Sequence, residues 1–243
     1  MSFATAAGTP QQAFSNTSKV VDQLGIAIVC GDYAEGTMIP LDPDLEEMFG
    51  VSRTVIREAK KTLVGKGLLQ SKAKVGTRVR PAADWSMFDP DVLRWHASLR
   101  KPGPFLEELF EIRLIFEPAA ASHVAERSDD IQKLHLTRLA EAMFLAQEPL
   151  AFAKANVAFH TAILHLSGNR FLSSLGDMVQ TALFSVYLRN EPRDPLAISH
   201  PSDQLHQGRA DYASLLNAIC SGQPHRAEEA MQRIILQAKD AMQ

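Results

Sequence analysis

Gly50 separates two short apolar stripes of helical spacing, and this pairing constrains the fold more than any other feature of the 243-residue chain. Upstream, Leu45, Met48 and Phe49 form the inner face of a helix expected over 43–49. Asp42 would cap it, with Pro43 at its first position. Downstream, Ser52 can cap a second helix. There Val55, Ile56, Ala59 and Leu63 make one stripe, while Arg53, Thr54, Arg57, Lys60 and Lys61 lie largely on the other side. Two such helices joined by a glycine turn are a helix-turn-helix. Leu68–Ser71 and Thr77–Arg80 then read as two strands around a turn containing Gly76, a wing with Lys72 and Lys74 at its tip.

Charge sharpens this reading. The formal net charge is −3. Residues 51–80 alone carry nine Lys or Arg against one acid, Glu58, a local +8. Residues 1–50 hold one Lys and seven acids. A basic block inside an acidic chain has a polyanion as its natural partner. A helix with arginines in its first turns suits the DNA major groove, where side chains meet base edges. A-form RNA hides that groove, so the partner expected is double-stranded DNA.

The remainder reads as helix. Residues 1–17 read as a disordered tail. A helix follows from Ser18, with Val20, Val21, Leu24, Ile28 and Val29 at its spacing, and the winged helix-turn-helix domain closes at residue 81. Residues 82–102 form a linker and a connecting helix capped by Asp89. Over 103–243, helices are expected near 104–126, 130–146, 149–167, 169–190, 203–221 and 224–241, separated by turn signals. The fold class is mainly α: a winged helix-turn-helix joined to an antiparallel bundle of six to seven helices. Cys30 and Cys220, the two cysteines, fall in apolar helical patterns and read as core thiols in a reducing cytoplasm. No apolar run is long enough to cross a bilayer, and the start lacks the pattern of a secretory signal. No membrane partner is expected.

The stretch IPLDPDLEEMFGVSRTVIREAKKTLVGKGLLQSKAKVGTRV resembles the winged-helix domain of GntR-type bacterial regulators. In the later half, FEIRLIFEPAAASHVAER, NVAFHTAILHLSGNRFL and LLNAICSGQPHRAEEAM resemble the ligand-sensing FCD domain of the FadR subgroup. The connector WSMFDPDVLRWHA is similar to that of members responsive to galactonate or related sugar acids. The resemblance implies a homodimeric repressor that binds an inverted repeat and is controlled by an effector. It implies DNA contacts from Ser52, Arg53, Thr54 and Arg57, with Arg53 reading bases. Lys72, Lys74 and Gly76 of the wing are added to that set. Two departures stand out: Pro43 replaces a basic residue, and Ala73 and Lys74 stand where relatives present His or Gly.

The resemblance also implies a bundle pocket that holds a divalent metal in many members. Its ligands are an Asp or Asn four residues before a His, and two further His. Here Asn156 and His160 keep the first pair, but Tyr212 and Ile234 stand at the other two positions, so no metal is expected. His206 is a remote substitute. An effector carboxylate would meet Arg113, and its hydroxyls Asn156, His160 and Tyr212. Glu117, four residues on, is the competing partner of Arg113. His165, Asn169, Tyr187 and Arg189 are weaker candidates, Asn169 reading better as a helix cap. The rival function is metal-dependent hydrolysis in the histidine-bearing bundle. It needs three ligands and a general base, and no GxSxG, HExxH, P-loop or CxxC sequence is present, so an enzyme is not expected.

Overall fold

The computed structural model describes residues 10–72, 75–99, 103–176, 178 and 201–242. The chain divides into two compact units, residues 1–99 and 100–243. In the first, helix α1 (Pro10–Cys30) precedes α2 (Asp42–Phe49) and α3 (Arg53–Gly65), then strands β1 (Leu69–Lys72) and β2 (Gly76–Val79), and α4 (Pro90–Ala97). The strands pair antiparallel, with Leu69 opposite Val79 and Lys72 opposite Gly76. On the other edge of β2, Ile39 and Val79 exchange backbone bonds with Thr77 and Thr37, which ties the loop before α2 into the wing. One core joins these pieces: Val20, Leu24 and Ile28 of α1, Leu45 of α2, the α3 stripe Val55, Ile56, Ala59 and Leu63, and Trp95 of α4.

Several local expectations change. α1 begins at Pro10 rather than Ser18, so part of the stretch expected as a tail is helical. The N-cap of α2 is Leu41, not Asp42, and the Leu41 amide donates to Asp44 Oδ2 at 3.2 Å. Asp42 lies inside the helix, where Lys60 takes its carboxylate at 2.7 Å. Met48, expected on the inner face, is 60% exposed. Cys30 and Cys220 are exposed rather than core thiols; each is the last residue of its helix, past the buried stripe. The connecting helix is part of the first unit. Trp95 is buried against α1, and its Nε1 donates to Asp22 at 3.1 Å.

The second unit is helical throughout its described residues: α5 (Gly103–Arg127), α6 (Asp130–Leu145), α7 (Pro149–Leu166), α8 (Pro201–Cys220) and α9 (Pro224–Met242), with residues 170–176 also helical. α5 packs on α7, α8 and α9, while α6 packs on α7 and α8. α6 opens on a reciprocal cap: Asp129 accepts from the Gln132 amide, and the Gln132 side chain accepts from the Asp129 amide. Asn169 does cap, accepting from the Phe171 amide at 2.9 Å. Of the helix expected over 169–190, residues 179–190 lie outside the described residues. No described helix is long and apolar enough to cross a membrane.

Candidate functional site

α3 is held by one face and offers the other. Its stripe is buried, whereas Ser52, Arg53, Thr54 and Arg57 are exposed, the Arg53 side chain to 71%. Ser52 occupies the N-cap with extended backbone, but its hydroxyl makes no capping bond. The basic field is narrower than the raw count suggests. Lys66 is folded onto Asp89 and Asp91 (2.7 and 2.8 Å), Arg80 onto Asp84 (3.2 Å), and Lys61 onto Glu58 (2.7 Å). Arg53 Nε lies 3.9 Å from Asp42. Among the described residues Arg57, Lys72 and Arg78 have no carboxylate partner, and all three are exposed. The open charge therefore sits on the first turns of α3 and on the wing. Gly76 opens β2 at φ 121, a conformation that strains any residue with a Cβ, and a Cβ there would also push the mobile end of the Met38 side chain aside. Lys74 lies outside the described residues.

The bundle brings together all four residues proposed for the effector. Arg113 of α5, Asn156 and His160 of α7 and Tyr212 of α8 are buried, and Glu117, one turn after Arg113, is fully so. Arg113 donates from Nε to Glu117 Oε1 at 2.5 Å and from Nη2 to Oε2 at 3.4 Å. His160 Nδ1 lies 2.6 Å from Glu117 Oε2. A carboxylate only accepts, so Nδ1 carries the proton. Nε2 lies 2.9 Å from the Tyr212 hydroxyl, and that hydroxyl accepts from Asn156 Nδ2 at 2.7 Å. The chain of bonds crosses three helices. Burial resists charge on Glu117, but the Arg113 guanidinium and His160 outweigh it and hold the carboxyl down at about 2. Apolar surfaces enclose the network: Phe159 and Phe144 present ring contacts to Tyr212 at 5.3 and 5.8 Å, and Arg113 stacks over Phe110.

Two family descriptions match this chain: "Bacterial regulatory proteins, gntR family" over residues 16–79 and "FCD domain" over residues 108–237. The chain belongs to the GntR family of bacterial regulators and carries an FCD domain. Curated relatives of this GntR protein include the regulator YieP of Escherichia coli K12, 31% identical over 72% of this chain and 78% of that one. The galactonate operon transcriptional repressor of the same strain is 29% identical over 89% and 92%. The repressor NanR of Cronobacter sakazakii is 28% identical over 83% and 75%. Among solved structures, Lar, described as controlling the Listeria monocytogenes agr system, aligns with TM-score 0.61 at 14% identity over 100% of this chain and 98% of that one. A Streptococcus agalactiae GntR protein aligns with TM-score 0.51 at 24% identity over 93% and 99%. These two show the fold. The family and its curated relatives are transcriptional regulators, not enzymes, so the hydrolase reading is set aside.

The FCD donor set of this GntR protein fits a divalent metal poorly. Both ring nitrogens of His160 are engaged by Glu117 and Tyr212, the Asn156 amide donates to a phenol, and Ile234 supplies a buried aliphatic chain. Among the described residues no three His, Cys, Asp or Glu cluster closely enough to hold a metal. His165 is exposed, and Tyr187, Arg189 and the side chain of His206 lie outside the described residues. Sequence reasoning treated Glu117 only as a competitor for Arg113. The structure makes it the centre of the network, and its spacing of four from Arg113 was the available signal.

Proposed function

We propose that this regulator is a homodimeric cytoplasmic repressor that binds an inverted-repeat operator through α3 and the wing. Arg53 reads a base edge, Ser52 and Thr54 hold phosphates, and Arg57 does either. Lys72, Lys74 and Gly76 bring the wing to the neighbouring minor groove or backbone. The observation that carries this reading is the exposed cationic face of α3 set over a fully buried stripe. In a mobility-shift assay on the DNA upstream of its own gene, Arg53→Ala should abolish specific binding at moderate salt, since a good bidentate base contact is worth about 1–3 kcal/mol. Full affinity and specificity in that variant would remove α3 as the reader.

The effector is a small carboxylate of the sugar-acid class, bound without a resident metal among Arg113, Asn156, His160 and Tyr212. Support comes from the convergence of these side chains and from the relative named as the galactonate operon repressor. Because the groups already bond one another, a ligand binds by exchange. Its carboxylate replaces Glu117 at the guanidinium, and its hydroxyls enter the hydrogen bonds now shared by His160, Asn156 and Tyr212. Such exchange moves α5, α7 and α8 relative to one another, and a ligand shifts DNA affinity only by preferring one arrangement. A thermal-shift screen of sugar acids and dicarboxylates tests it, because only a ligand of the folded state raises the melting temperature.

A further inference from the structure

We infer that α1 is a third DNA-contacting element, with Lys19 seated on a backbone phosphate beside the turn that leads into α3. A cleft of about 250 Å³ opens at this place. Asn16, Lys19 and Gln23 of α1 line one side, and Phe49, Gly50 and Val51 of the α2–α3 turn line the other. The inference rests on α3 entering duplex DNA, since the cleft ends one residue before the Ser52 cap.

Three observations converge on a phosphate. Lys19 is the one basic residue among the first 50, and it stands at this cleft. It is exposed and has no carboxylate partner among the described residues. Asp22, its neighbour one turn on, is turned to α4, where it accepts from Arg94 at 2.6 Å and from Trp95 Nε1 at 3.1 Å. The rest of the cleft suits an anion as well: Asn16 and Gln23 bring amide donors and no acid lines it.

The third observation is what α2 lacks. In a helix-turn-helix the first helix crosses the DNA backbone. Here that helix, DPDLEEMF, holds four acids and no base. Lys60 draws off Asp42, and Asp44 accepts from its own cap, but Glu46 and Glu47 keep the helix anionic. It repels a phosphate rather than holding one. The strand flanking the start of α3 then meets its counter-charge on α1, across the turn.

The experiment is a fluorescence-anisotropy titration of the full-length protein on its operator and on random duplex, over roughly 50–200 mM salt, the range in which phosphate contacts change affinity steeply. Lys19→Ala should weaken both duplexes by the same several-fold factor and lower the slope of log affinity against log salt by about 1 per bound protomer. Lys19→Arg should restore both, and neither variant should alter the melting temperature, because the side chain is exposed. Arg53→Ala, measured in parallel, should remove the preference for operator. An unchanged salt slope in Lys19→Ala beside a defective Arg53→Ala overturns this inference and leaves the α3 reading intact. A loss that Lys19→Arg does not restore also overturns it. Wild-type behaviour in both alanine variants overturns the two together.

Discussion

Replacing Glu117 with Gln would leave the Arg113 guanidinium, 1% exposed, without its counter-charge inside the bundle. Breaking a buried pair from one side costs about 3–5 kcal/mol, and urea denaturation of Glu117→Gln should show a loss of that order. Acid should do the same in steps. The folded carboxyl sits at about 2, below its usual 4.5, so its contribution is full above pH 4.5 and is lost as pH falls towards 2. His96 acts in a different window. Burial lowers it from 6.5 to about 4, so the unfolded chain takes up the proton first, and stability drops as pH falls from 6.5 to 4. Melting temperature followed against pH should show both windows, and His96→Gln should flatten only the upper one. At this scale the sequence was readable where partners are local. The spacing of Arg113 and Glu117 made their pairing the alternative to an effector contact, and the pair forms. The capture of Asp42 by Lys60, 18 residues away, was not readable, nor was the start of α2 at Asp42, with Leu41 at the N-cap position.

Between elements, α4 sits close against α1. A Cβ at Gly25 would stand 2.5–2.6 Å from three atoms of the Trp95 ring, which is itself fully buried. Gly25→Ala should therefore force the ring or the helix aside and cost about 1–3 kcal/mol, seen as a lower midpoint in chemical denaturation. Salt bridges surround this joint: Lys66 reaches Asp89 and Asp91 from the end of α3, and Arg94 reaches Asp22. α4 is thus fastened to the winged helix by aromatic packing and by charge. The sequence showed that this helix exists, from Asp89-Pro90, and could not show where it docks, because Trp95 and Gly25 are far apart in the chain. The stripe of α3 was legible because its period of burial is purely local, and all of Val55, Ile56, Ala59 and Leu63 are buried. Met48 and the two cysteines were misjudged for a related reason. Apolar character marks a candidate for the interior, while the end of a helix or a gap in its neighbours decides the outcome.

For the whole molecule, two compact units imply two responses to ligands. Differential scanning calorimetry should show operator DNA raising the transition of residues 1–99 and an effector raising that of residues 100–243, each by mass action on the state it binds. Sedimentation should give twice the chain mass if the operator is a two-fold repeat. The architecture and the exposed cationic face of α3 were legible in the sequence. So was the convergence of Asn156, His160 and Tyr212, but through the resemblance to FCD domains, since side chains on three helices meet by tertiary packing alone. Asp42 carries a final consequence. It stands within 3.9 Å of Arg53 while gripping Lys60 at 2.7 Å. On the proposed reading, Arg53 exchanges this long contact with Asp42 for the two acceptors of a guanine edge, while Lys60 keeps the Asp42 carboxylate neutralised behind it.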